Sequence, residues 1–161
     1  MNNIFTRTEL NPIKLTEMLE ELENTVELHS ISVRYKGETV LEGAWAPFSL
    51  NEPQMMHSLS KIGTSICVGF AVDEGKLHLE DHLLDYVREE LPASYDEALE
   101  DITIYDLLTM QAGSKECCNN VWFSRIKKDW ETNWLKQPKI REDIGKAFHY
   151  DSGCSYTLSR I

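Results

Sequence analysis

The sequence predicts a mixed α/β protein, in which one antiparallel hairpin stands among several amphipathic helices. Three observations lead there. Apolar residues repeat at i, i+3, i+4, i+7 near the start; they alternate with polar residues over residues 30–46; and they return to helical spacing from about Leu59 onward. An apolar fraction of 42% in 161 residues is enough for a packed core, and the many charges belong to an ordinary folded surface.

Taken in order, Asn11-Pro12 supplies a helix cap followed by proline at the first helical position. Leu15, Met18, Leu19 and Leu22 then form one stripe, and the helix ends near Asn24. In "ELHSISVRYKGETVLEGAWAPF", Ile31, Val33 and Tyr35 share a face, Lys36-Gly37-Glu38 turns the chain, and Thr39 to Ala46 returns as the second strand. Pro47 and Pro53 bracket an irregular connection. The next helix carries Ile62, Ile66, Phe70 and Ala71 as its stripe, widened by Val68 and Val72, which predicts a largely buried element closed by Gly75.

"KLHLEDHLLDYV" predicts an extended piece and a turn of helix before Pro92. Thr103-Ile-Tyr-Asp106 is a capping box for a helix through Leu107, Leu108 and Met110, stopped by Gly113. Trp122, Ile126, Trp130 and Trp134 lie four apart, as a buried aromatic stripe or as the rim of a cleft. A last helix begins after Tyr150, with Tyr156, Leu158 and Ile161 apolar. One hairpin is marginal by itself in water. The pattern therefore predicts that most of the hairpin's sheet is missing, and that the chain is a truncated piece.

Composition narrows the function classes. A net charge of −11 disfavours phosphate backbones, so no nucleic-acid partner is expected. No basic-then-apolar leader and no apolar run of about 20 residues occurs, which predicts a cytoplasmic chain with no membrane partner. Cys67, Cys117, Cys118 and Cys154 are then expected as thiols. The Cys117-Cys118 pair is vicinal, and the His78/His82 pair has Leu79 where a zinc-protease helix needs glutamate, so neither metal nor cofactor is expected.

The stretch "HSLSKIGTSICVGF" carries the chemistry. Ser58 and Lys61 are three residues apart where an extended segment enters a helix, so they share a face. The Ser58 backbone N–H belongs to the unsatisfied donors of a helix start. A nucleophile, an amine and one oxyanion donor are the parts of acyl transfer; a plain helix cap with a solvated lysine is the alternative. A second Ser-x-x-Lys, Ser124 to Lys127, has no strand-to-helix junction before it and is read as chance.

Four blocks in order resemble the serine β-lactamase and penicillin-binding-protein superfamily, in its class C-like branch. They are "HSISVRYKGETVLEGAW", "HSLSKIGTSICVGFAVDEGKLHLEDHLLDY", "ITIYDLLTMQAGS" and "FHYDSGCSYTLSRI". The resemblance implies an antiparallel sheet with flanking helices plus a helical lobe. It implies one such domain, N-terminal part only: residues 1–78 as hairpin and nucleophile helix, 79–147 as helical lobe, 148–161 as the Tyr-x-Ser region. It further implies that Ser58 is acylated, that Lys61 activates it, that Tyr150 relays protons, and that Ser152, where asparagine is common, binds substrate. Either Tyr150 as phenolate or a neutral Lys61 serves as base.

The substrate implied is a β-lactam, peptide or ester. The family's Lys/His-Ser/Thr-Gly strand, source of the second oxyanion donor, has no counterpart here, so the chain alone is expected to be inactive. A second reading stays open: a non-catalytic remnant or interaction module of the same fold.

Overall fold

A computed structural model describes residues 10–91, 93–115 and 134–161. The predicted stripe of Trp122, Ile126 and Trp130, the second Ser-x-x-Lys and the vicinal cysteines lie outside the described residues. The chain forms two compact units, Met1–Met55 and Met56–Ile161.

In the first unit, helix α1 (Pro12–Thr25) starts as expected, with the Asn11 side chain accepting from the Ile13 N–H at 2.9 Å and proline at the first position. Strands β1 (Ser30–Tyr35) and β2 (Glu38–Ala44) pair antiparallel, Val33 opposite Leu41. The turn uses Lys36 and Gly37, both at positive φ (48° and 86°), the backbone of a tight two-residue hairpin. Register slips between Val33 and Arg34, and past that irregularity two successive residues, Val40 and Leu41, are both buried. Leu19 closes a small core with them, so the helix stripe does face the hairpin.

The second unit is mainly helical. A 3₁₀ turn (His57–Ser60) leads into α2 (Lys61–Asp73), followed by α3 (Leu84–Val87), α4 (Ile104–Leu108) and α5 (Ser152–Leu158). Leu83, Leu84, Leu99, Ile102, Ile104 and Leu107 form its dry centre. The capping box at α4 is present: Asp106 N–H donates to Thr103 Oγ1 at 3.2 Å, and Thr103 N–H donates to Asp106 Oδ2 at 2.9 Å.

Three expectations fail here. The face of α2 turned to the core is Val68 with Ala71 and Val72, whereas Ile62, Ile66 and Phe70 are 53–64% exposed. A helix apolar all round does not reveal in its sequence which side meets a neighbour. Helix α4 ends at Leu108, and Met110 takes φ 55° beyond it; Gly113 is a close-approach turn, since a Cβ there would stand 2.6 Å from the Ile140 carbonyl oxygen. Helix α5 buries Leu158 of its apolar positions, together with Cys154 and Thr157, but Tyr156 and, beyond the helix end, Ile161 are exposed. Among the described residues no helix is long and apolar enough to cross a membrane.

Candidate active site

Ser58 sits in the 3₁₀ turn and Lys61 begins α2. Side chains three apart eclipse in a 3₁₀ turn, and Lys61 Nζ donates to Ser58 Oγ at 3.0 Å. Lys61 also precedes Val68 by seven residues, two helical turns, so it lies on the face of α2 that is anchored in the core. His57, directly before Ser58, has φ 45°. This left-handed backbone is unfavourable for a residue with a Cβ, and here it marks the bend where the extended segment enters the turn.

Tyr150 comes from the other end of the second unit. Its hydroxyl lies 2.7 Å from Ser58 Oγ, and Lys61 Nζ lies 5.3 Å from the centre of its ring. The three side chains singled out in the sequence therefore meet at one oxygen, across 92 residues of chain. The hydrogen bond from Lys61 holds the Tyr150 phenol below the usual tyrosine pKa; hydrogen bonds with Ser58 and Ser152 add to this, and partial desolvation opposes it. Ser152 opens α5 beside the cluster. The contact at 2.7 Å has two protonation forms. As a phenol, Tyr150 donates to Ser58 Oγ; as a phenolate, it accepts the serine proton. The group is partly exposed, so an incoming acyl compound can reach it.

Tyr150 is held by what lies behind it. The next residue, Asp151, is fully buried; its Oδ2 accepts from Ser114 Oγ at 2.6 Å and from Trp134 Nε1 at 2.6 Å, and its Oδ1 accepts from the Gly153 N–H at 2.9 Å. The buried Lys139 places Nζ 3.4 Å from Ser114 Oγ and 3.8 Å from the centre of the Trp134 ring, a cation over an aromatic face. Sequence reasoning missed this cluster. The one local signal was aspartate just before a helix, an ordinary cap. Trp134 is thus a buried hydrogen-bonding wall, not a rim.

A hollow of about 410 Å³ beside α2 and the end of α5 is lined by Cys67, Val68, Leu77, Tyr86 and Leu158 among others, and by none of Ser58, Lys61 and Tyr150. Convergence of polar groups, not the size of a hollow, locates the site.

The family model for Beta-lactamase matches residues 27–159, most of the chain. The chain belongs to the beta-lactamase family. Its fold is beta-lactamase-like, helices with an antiparallel hairpin. No curated protein matches it. Among solved structures, it is similar to a protein described as a 6-aminohexanoate-dimer hydrolase from Bacillus anthracis, at 18% identity and TM-score 0.58 over 88% of this chain. It spans 40% of that protein's length. At such identity the likeness concerns the beta-lactamase fold alone.

Proposed function

We propose that this beta-lactamase-family chain carries the nucleophile and the acid–base machinery of a serine hydrolase that works through an acyl-enzyme on Ser58. The observation that carries this reading is the meeting of Lys61 Nζ and Tyr150 Oη on Ser58 Oγ, at 3.0 and 2.7 Å. Tyr150 as phenolate takes the Ser58 proton while Oγ attacks the carbonyl carbon. The tetrahedral oxyanion faces the Ser58 backbone N–H at the start of the helical turn. Collapse expels the leaving group, which takes its proton from Tyr150, and water attacking the same ester in a second round restores Ser58.

A phenol at its ordinary pKa of ~10 is a poor base at neutral pH. The lowered pKa supplied by Lys61 favours Tyr150 as the base, with Lys61 as the cation that stabilises its phenolate. Ser152 serves as a hydrogen-bonding group for substrate next to the phenol. The substrates are small carboxylic esters or amides, β-lactams and peptides among them; hydrolysis of a 6-aminohexanoate dimer, named for the Bacillus anthracis protein, falls in that class.

The test is intact mass after incubation with a fluorophosphonate and, separately, a fluorescent penicillin. The chain alone is expected to sustain no turnover, yet one adduct that disappears in Ser58→Ala is expected, because a single transfer to Ser58 needs the nucleophile and its base but no second step. A folded chain that forms no adduct with either reagent would instead identify a non-catalytic member of the fold.

A further inference from the structure

We infer that the buried Asp151 is a positioning residue, whose hydrogen bonds from Ser114, Trp134 and Gly153 lock the Tyr150–Asp151 step and thereby hold the phenol on the Ser58 hydroxyl. This rests on reading Ser58 and Tyr150 as nucleophile and proton carrier.

The backbone at Asp151 is extended (φ −143°, ψ 116°), and in an extended chain neighbouring side chains point to opposite sides. Asp151 accordingly turns inward, with no exposed surface, while Tyr150 turns outward and is 43% exposed. A side chain so exposed has little packing of its own to fix its ring. Its backbone, however, is pinned on both sides. The His149 N–H donates to the Met110 carbonyl at 2.9 Å, and Asp151 takes the Ser114, Trp134 and Gly153 donors. These anchors come from the turn after α4, from the segment around Trp134 and from α5 itself. Three parts of the unit thus determine one step of backbone. The carboxylate accepts at both oxygens there: the Ser114 and Trp134 donors meet Oδ2 and the Gly153 N–H meets Oδ1.

In Asp151→Asn the shape is kept, but one carboxylate oxygen becomes an NH₂. At the Oδ2 position it faces the Trp134 N–H, and at the Oδ1 position it faces the Gly153 N–H, so either orientation sets donor against donor. Adding Trp134→Phe removes the indole N–H. The amide NH₂ can then sit at the Oδ2 position, where the Ser114 hydroxyl turns to accept from it, while the amide oxygen still serves Gly153. A merely structural carboxylate would not give that pattern of loss and rescue in the behaviour of Tyr150.

The experiment uses the full chain and two readouts. The Tyr150 titration is the ultraviolet phenolate signal of each protein minus that of its Tyr150→Phe counterpart. The second readout is the rate of fluorophosphonate labelling at Ser58. The groups facing the phenol are Lys61, Ser58 and Ser152. Asp151→Asn should move the Tyr150 titration upward toward that of an ordinary tyrosine and slow labelling about 10²-fold, the scale for a misplacement of about 1 Å. Trp134→Phe/Asp151→Asn should restore the wild-type titration and bring labelling back to within about tenfold.

A folded Asp151→Asn with the wild-type titration and rate overturns the inference, and so does a folded double variant that rescues neither. Should Asp151→Asn fail to fold, Ser114→Ala removes a single donor and must shift the titration in the same direction; no shift overturns the inference too. A wild-type chain that takes no label, yet whose Tyr150 titration still follows Asp151, would sustain the positioning role and defeat the hydrolase reading alone.

Discussion

Gly153→Ala should unfold the back wall of the site. An ideal Cβ on Gly153 would lie 2.0 Å from Trp134 Cδ1 and 2.2 Å from Nε1, far inside contact distance, and the indole is 2% exposed with nowhere to retreat. Forcing in a methyl group where the core is already full costs about 1–3 kcal/mol. Moving the indole also breaks its hydrogen bond to Asp151, worth roughly 1.5–3 kcal/mol for a charged acceptor. The sum is about 2.5–6 kcal/mol, a large share of the ~5–15 kcal/mol that holds a domain together. For a chain of this size that is a fall in melting temperature of about 10 °C. Gly69→Ala is the control: it lies within α2, a Cβ there meets nothing within 4 Å, and the better helix former should stabilise by up to about 1 kcal/mol. Melting by circular dichroism decides. A Gly153→Ala protein melting within about 2 °C of wild type would show that α5 does not pack against Trp134 as described.

The remaining predictions concern protons. Lys61→Arg keeps the cation, so labelling of Ser58 should survive with the acid limb of its pH–rate profile little moved. Lys61→Met should move that limb to higher pH, because a base that acts as phenolate works above its pKa and the lysine is the main cause holding that pKa down. Loss of labelling in Lys61→Arg, with retention of fold, would favour the lysine as base, since guanidinium does not deprotonate. Elsewhere, the Tyr86 hydroxyl donates to Asp81 Oδ2 at 2.5 Å, and desolvation and this carboxylate push the phenol up to about 12. A raised folded pKa gives stability that is complete below the unfolded value of 10 and is lost as pH rises toward 12, so Tyr86→Phe should flatten the alkaline arm of stability in that window. Asp81 is held low, chiefly by the same bond, and its share is lost as pH falls below 3.8; the acid arm should weaken in the same variant. Urea titrations across pH measure both arms.

Local signals were legible where local physics decides. The Asn11-Pro12 start, the Lys36-Gly37 turn and the Thr103–Asp106 box each depend on a few adjacent atoms, and all three form as read. Ser58 and Lys61 were paired by helical spacing alone. Tyr150 joined them through resemblance, because nothing local links residues 58 and 150. Long-range facts stayed hidden. The apolar residues of α2 did not say that Val68 would face inward and Phe70 outward, since both sides are equally apolar. Asp151 caps α5 through one oxygen, but its other oxygen serves Ser114 and Trp134, donors 37 and 17 residues away in the chain. Glycine spacing likewise did not show that Gly153 exists to admit an indole.

Tyr150→Phe is the most direct measurement, because it deletes one oxygen atom and keeps the ring. With the phenol 2.7 Å from Ser58 Oγ acting as its proton acceptor, fluorophosphonate labelling at Ser58 should slow by about 10² to 10⁴ while the melting temperature stays put. Equal labelling rates in the wild type and in Tyr150→Phe would contradict the claim that the two hydroxyls work as a pair.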